Sequence, residues 1–284
     1  MICEKIGNAT LYCGDSLEIL SRLPATDLVV TSPPYGQQRD YGKKIGDWRA
    51  LVSGVLLATP AHEATQILCN LGLIHKEGCV IPYWNDLIED MQSHSWRMFG
   101  WYVWDKMHAM PGDWNGRLAP AHEWIFHFNK APTQAQKIVA TKWAGSENHG
   151  TGLRRKDGTT PGKYTHNGKP VQSWKIADSV IRCAPQKAND IARKNHPAVF
   201  PVTFAEQLMA SYPGSVLDPF MGSGTTGVAA VQMGRNFTGV ELHKPYFDIA
   251  CKRIEEAQKQ GDMFVEPAPA AKPEQTGLDL GDAA

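Results

Sequence analysis

The chain has 284 residues, 42% hydrophobic and 20% charged, and its 29 Lys/Arg offset 29 Asp/Glu. That is ordinary for a soluble globular protein, with room for one substantial core or one core with an inserted module. No apolar run approaches the ~20 residues of a membrane span, Met1–Lys5 lacks a signal-peptide pattern, and Cys3, Cys13, Cys69, Cys79, Cys183 and Cys251 are scattered. With no Cys-x-x-Cys pair, neither a zinc site nor a disulfide framework is expected, and a reducing cytosol fits best.

In chain order, Ala9–Cys13 predicts a strand, Gly14-Asp15 a turn, and Ser16–Leu23 a short helix with Leu17, Leu20 and Leu23 at helical spacing, ended by Pro24. Asp27–Thr31 predicts a buried strand that runs into Ser32-Pro33-Pro34-Tyr35. Gly36–Asp47 is polar and reads as a loop over the site. Trp48 to about Ile74 reads as mostly helical, interrupted at Pro60, and Lys76–Gly78 as a turn. Cys79–Tyr83 predicts a strand, and Asn85 or Asp86 a cap for a helix to about Ser93. Arg97–Trp104 and Glu123–Phe128 predict aromatic-rich strands joined by a loop. From Lys130 to about Asp190 the periodicity fades into an inserted, loop-rich module. Thr203–Ser211, Gly224–Met233 and Lys244–Gln258 predict helices; Ser215–Leu217 and Asn236–Glu241 predict strands. After Gly261 the composition turns to Pro, Ala, Gly and acid, as in a disordered tail. Alternating strands and helices argue an α/β fold with a mostly parallel sheet.

Two stretches carry chemistry. Pro33 and Pro34 lack N–H groups and fix φ, so the backbone after the strand is stiff and offers carbonyl oxygens beside a hydroxyl and an aromatic ring. That suits a grip on a planar amino group; a proline-rich loop closing a strand is the alternative. The second stretch is Asp218-Pro219-Phe220-Met221-Gly222-Ser223-Gly224-Thr225-Thr226-Gly227, a strand entering a glycine-rich turn that opens a helix. Glycines allow close approach of a ligand, and a helix N-terminus offers free N–H groups. Glu241, ending the next strand, can accept from both hydroxyls of a ribose. Gly222-x-Gly224-x-x-Gly227 also matches a dinucleotide fingerprint, so a nicotinamide oxidoreductase stays open. Too little chain follows Glu241 for the second half of that fold. A Walker loop fails for want of Gly-Lys-Ser/Thr.

Together these stretches resemble the β-group amino DNA methyltransferases (N4-cytosine and N6-adenine), in which a Ser/Asp-Pro-Pro-Tyr motif precedes the S-adenosylmethionine motif. The resemblance runs from Leu11 to about Glu256 and includes Gly14-Asp15, Trp104-Asp105-Lys106, Arg117, His122–Ile125, His196–Pro201 with Phe204-Ala205-Glu206, and Gly239–Glu241 with Tyr246, Ala250 and Arg253-Ile254. It implies a Rossmann-like, seven-stranded, mostly parallel sheet, circularly permuted, in which the strands before Ser32 and Asp218 are neighbours. The implied division is 1–130 catalytic half, 131–190 target-recognition region, 191–260 cofactor half and 261–284 tail.

The resemblance implies catalytic roles for Ser32, Pro33, Pro34 and Tyr35. It implies S-adenosyl-L-methionine contacts at Asp15, Thr31, His196, Phe200, Asp218, Pro219, Phe220, Gly222, Ser223, Gly224, Thr225 and Glu241. DNA is the implied partner, with no metal and no membrane. A homodimer or a cognate restriction endonuclease system is a further candidate partner, and the bacterial or phage-infected cytoplasm is the implied location. Between residues 131 and 196, twelve Lys/Arg face four acids, densest at Arg154-Arg155-Lys156, which fits phosphate contacts; a solvated lysine-rich loop is the alternative. Carbon-5 cytosine methylation needs a cysteine after a proline in the family that performs it, and no cysteine here follows proline. Ser32, where adenine-N6 enzymes mostly carry Asp, favours cytosine N4, with adenine N6 as the alternative. A catalytically silent nucleic-acid-binding module and a methyltransferase acting on RNA or a protein amide also stay open.

Overall fold

The computed structural model describes residues 2–34, 47–109, 112, 114, 116–147, 169–185 and 200–264, with backbone alone for 261–264. Its elements are β1 (Ile2–Ile6), β2 (Ala9–Cys13), α1 (Ser16–Leu20), β3 (Thr26–Thr31), α2 (Trp48–Leu57), β4 (Ala61–Leu71), β5 (Ile74–Lys76), β6 (Cys79–Ile81) and α3 (Trp84–Ser93). They continue as β7 (Arg97–Asp105), β8 (His122–Asn129), β9 (Lys137–Ala140), β10 (Trp174–Ile176), β11 (Val180–Arg182), α4 (Val202–Ala210), β12 (Val216–Asp218), α5 (Thr225–Gln232), β13 (Phe237–Glu241) and α6 (Lys244–Phe264).

One sheet runs β1-β2-β13-β12-β3-β4-β8-β7-β11. The seven strands from β2 to β7 are the expected sheet, and β1 and β11 each add a strand at an edge. The pairs β2–β13, β13–β12, β12–β3 and β3–β4 are parallel. β8 runs antiparallel to both its neighbours, so β7 points the same way as β4. β12 lies beside β3, with Val216 opposite Leu28, although the two strands are far apart in sequence. Successive side chains leave opposite faces of a strand. Leu28 and Val30 pack with Phe204, Val228, Phe247 and Ile254 on one side, whereas Val29 packs with Val52, Val55, Leu87 and Met91 on the other. The sheet is thus sandwiched by α4, α5 and α6 on one face and by α1, α2 and α3 on the other.

The stretch expected to be helical beyond Pro60 is instead the long strand β4. Thr65–Leu71 is buried throughout, so no polar alternation betrays a strand. Its buried polar side chains find partners across the sheet. Gln66 Oε1 accepts from His127 Nε2 at 2.8 Å and from Asn129 Nδ2 at 2.9 Å, and Tyr102 donates to His127 Nδ1 at 2.8 Å. Burial pushes the His127 pKa down to about 4, so the ring is the neutral acceptor–donor that these bonds require.

Several boundaries also differ. α3 starts at Trp84, after Tyr83, without a side-chain cap. The loop-rich stretch contains the β9–β10 pair and places β11 on β7. α6 continues past Gly261, where the tail was expected, to Phe264; the preceding Arg253–Gln260 is rich in good helix formers, and Lys259 pairs with Glu255 one turn back at 2.8 Å. The remainder of that tail lies outside the described residues. No helix among the described residues is long and apolar enough to cross a membrane, and all six cysteines are free thiols.

Candidate active site

The carboxyl ends of β13, β12, β3 and β4 lie side by side, which is where open parallel sheets present ligand-binding loops. Two sequence motifs meet there. Asp218, the last residue of β12, is 2% exposed, and both its oxygens are engaged by the protein. Oδ1 accepts from the Thr31 hydroxyl at 2.7 Å and from the Phe220 N–H at 3.1 Å; Oδ2 accepts from the Thr226 hydroxyl at 2.7 Å. One carboxylate therefore ties the residue before Ser32 to the glycine turn and to the first turn of α5. Burial, the dominant cause, raises its pKa to about 6, against the lowering effect of those three bonds.

The turn itself needs its glycines. Gly222 and Gly224 have φ of 54° and 81°, and a Cβ on Gly224 would come within 2.8 Å of the Ala250 Cβ in α6. Glu241 braces the same turn: Oε2 accepts from Gly222 N–H at 2.8 Å and Oε1 from His243 N–H at 2.7 Å. Its carboxyl is raised by burial, partly offset by those backbone donors. Gly14 N–H donates to the Glu241 carbonyl at 3.0 Å, and Ser16 Oγ to the Pro219 carbonyl at 2.6 Å. These bonds bring exposed Asp15, which caps α1 through Leu17 N–H at 2.8 Å, to the rim of the turn. Phe200 packs edge-on against Phe204, with centroids 5.5 Å apart, and Phe204 stacks on Trp104 at 4.5 Å. On the same rim Lys106 and Glu123 form a mostly buried ion pair at 2.6 Å.

Thr31, Ser32, Pro33 and the 218–226 turn are thus brought together, with Asp15 and Glu241 beside them. Of the two proline carbonyls, that of Pro34 is already taken by the Trp48 indole at 2.7 Å. Among the described residues none donates to the Pro33 carbonyl. Tyr35, His196, Arg154, Arg155 and Lys156 lie outside the described residues.

Sequence reasoning left Ser16, Trp48 and Thr226 out of the site. It placed Arg253 only in the matching pattern. Arg253 reaches from α6 to the Ser223 carbonyl at 2.6 Å and to the Ser223 and Thr225 hydroxyls at 3.2 Å each. Arg253→Ala is expected to weaken cofactor binding about tenfold, since a charge-assisted bond that shapes the turn is lost. Isothermal titration measures it, and unchanged affinity would show that the turn holds without Arg253.

The donor and acceptor set suits one ligand. The N–H groups at the start of α5, which have no partner within the helix, fit an anionic end. The carboxylates of Glu241 and Asp15 fit hydroxyl and amino donors. An amino acid joined to a nucleoside carries all three. No group of three or more His, Cys, Asp or Glu with metal-binding geometry occurs among the described residues.

A glycine turn stands beside a Ser-Pro-Pro stretch at the ends of adjacent parallel strands, the arrangement expected of a permuted methyltransferase sheet. The sequence profile of the DNA methylase family, whose members modify amino groups at N6 or N4, matches residues 26–252, and the chain belongs to that family. Its cofactor is S-adenosylmethionine and its substrate is DNA. This membership removes the nicotinamide reading. The chain is 29% identical over 295 residues to the Type II methyltransferase M.Cfr9I of Citrobacter freundii, covering 88% of this chain and 89% of that one. Its fold is like that of the PvuII DNA methyltransferase (cytosine-N4-specific), with a TM-score of 0.64, 20% identity, and 90% and 92% of the two chains covered. It is also like that of the M1.HpyAVI–S-adenosylmethionine complex, with a TM-score of 0.54, 20% identity, and 87% and 98% covered.

Proposed function

We propose that the protein methylates the exocyclic N4 amino group of a cytosine in DNA. The observation that carries this is Ser32 at the end of β3, one residue after the Thr31 hydroxyl that binds Asp218 of the cofactor turn. An exocyclic amine is a poor nucleophile because its lone pair is delocalised into the ring. Acceptors on its hydrogens favour a pyramidal nitrogen and offset the positive charge that develops as the methyl arrives. The Ser32 hydroxyl and the Pro33 carbonyl are those acceptors in this reading. Tyr35 stacks on the base extruded from the duplex, where stacking contributes on the order of 1–3 kcal/mol.

Asp15, Phe200, Pro219, Phe220, Gly222, Ser223, Gly224, Thr225 and Glu241 form the cofactor wall, with His196 completing it. Thr31 and Asp218 hold that wall against the acceptor motif. Residues 131–190 serve target recognition, and Arg154, Arg155 and Lys156 contact phosphates, so binding falls as salt rises. The cytosine-N4 specificity in the PvuII enzyme's name supports the choice of base. The Type II class of M.Cfr9I supports a modification role beside a cognate restriction endonuclease, in the bacterial cytoplasm.

Incubation with DNA and S-adenosylmethionine, followed by digestion to nucleosides and mass spectrometry, is expected to yield N4-methylcytosine. N6-methyladenine as the product would move the assignment to adenine. 5-Methylcytosine, or no methylated base, would overturn it.

A further inference from the structure

Trp48, the first residue of α2, lies outside the residues that the sequence singles out. Its indole N–H donates to the Pro34 carbonyl at 2.7 Å. The ring is itself fixed. Its edge meets Tyr83, with centroids 4.8 Å apart and planes at 80°, and the Tyr83 hydroxyl donates to the Gly72 carbonyl, just past β4, at 2.8 Å. The helix that carries it is anchored as well. Asp47 caps α2 through Ala50 N–H at 3.0 Å. Arg49 forks onto Asp90 of α3 at 2.6 and 2.9 Å, and Ser53 donates to the same carboxylate at 2.6 Å.

Pro33 and Pro34 have φ set by their rings, so ψ at each proline is the soft torsion that remains. A peptide unit is planar, so a carbonyl held in one direction fixes its whole plane. The Trp48 N–H thereby removes the freedom of the Pro34 peptide. It also occupies an oxygen that would compete for the hydrogens of an incoming amine. The acceptors that this reading offers to the amine are then those of Ser32 and Pro33, not Pro34.

We propose that Trp48 is a positioning residue for methyl transfer: through the Pro34 carbonyl it locks the backbone that presents the Ser32 and Pro33 acceptors. This rests on the reading of Ser32-Pro33-Pro34-Tyr35 as the grip on the amine. Nothing in it requires Trp48 to touch either substrate.

The test uses the full chain with Trp48→Phe and, separately, with benzothienylalanine at position 48. That analogue keeps the shape of the indole and carries sulfur in place of the N–H, so packing is preserved where phenylalanine fails to fold. Single-turnover methylation of DNA, S-adenosylmethionine affinity and Tm are measured for each. The analogue is expected to lower the single-turnover rate about 10- to 100-fold, as for a small misplacement of a reacting group, with cofactor affinity and Tm unchanged. A wild-type rate in the analogue would overturn the proposal. So would a rate loss matched by equal losses of affinity and Tm, which is the signature of packing alone. Ser32→Ala, run in parallel, separates the two ideas. If it stays fully active, the reading of the tetrapeptide falls and this proposal falls with it. If it is inactive while the analogue is active, only the role of Trp48 falls.

Discussion

Ser32→Ala is expected to lower the single-turnover rate of methyl transfer by about 10²–10³-fold, the range seen when one preorganised transition-state partner is removed. S-adenosylmethionine should still bind with near wild-type affinity. The separation of the two effects follows from the geometry. The bond that joins the acceptor strand to the cofactor turn is made by Thr31, one residue earlier, and by Asp218, and neither is touched by the substitution. Pro33 and Pro34 keep the local backbone stiff whether or not the hydroxyl is present. Rapid-quench transfer of a labelled methyl group, alongside equilibrium binding of the cofactor, measures both quantities. A rate within about threefold of wild type would remove Ser32 from the chemistry, because a preorganised transition-state acceptor is worth about 10²-fold or more.

The second large effect concerns Asp218. Asp218→Ala leaves three buried donors, from Thr31, Thr226 and Phe220, without their acceptor. It is expected to cost about 3 kcal/mol of stability at neutral pH and to abolish measurable cofactor binding, since the turn loses its tie to β3 and α5. Asp218→Asn is different. Its amide oxygen can accept from Thr31 and Phe220, and its NH₂ can donate to the Thr226 hydroxyl, which in turn faces the Val30 carbonyl at 3.4 Å.

That isostere also exposes the titration. The carboxyl is raised from 3.8 to about 6 by burial. Below its unfolded pKa the group is protonated in both states, and its contribution to stability is fully present. As the pH rises through about 6 the unfolded chain has already ionised, the fold must hold a buried carboxylate, and that contribution is lost. Wild-type stability relative to Asp218→Asn should therefore fall by roughly 3 kcal/mol between about pH 4 and pH 8. Urea unfolding of both proteins across that range measures it. A pH-independent difference would mean that Asp218 titrates as an exposed carboxyl does.

How much of this could be read from residues alone differs by element. The turn at Gly222–Thr225 and the Pro-Pro stretch were legible because each breaks a regular pattern with residues that have few other uses. The adjacency of β12 and β3 followed from motif order, through the permuted topology that the resemblance implies. β4 was not legible. Ala61–Leu71 mixes helix formers such as Glu63, Gln66 and Leu68 with Thr65 and Asn70, and its strand character is imposed by partners on β8, such as His127 and Asn129 for Gln66. The roles of Trp48 and Arg253 were illegible for a related reason. Each acts on a backbone carbonyl distant in sequence, and a carbonyl leaves no residue-type signal for its partner to match. Asp218 was placed at the strand end correctly, but the occupation of both its oxygens by Thr31, Thr226 and Phe220 depends on side-chain directions that only the assembled sheet defines.

The bond from Thr31 to Asp218 spans 187 positions of the chain. Loop closure over that distance must precede any reward from the β3–β12 pairing, which makes the central pair a late and slow event of folding. During synthesis the first half of the polypeptide emerges with β3 lacking one neighbour, and it must wait for the C-terminal strands before that edge is covered. The site at the carboxyl ends of β3 and β12 is incomplete in such an intermediate. A chain cut before β12 therefore lacks the turn that meets the end of β3, and is expected to show no methyl transfer.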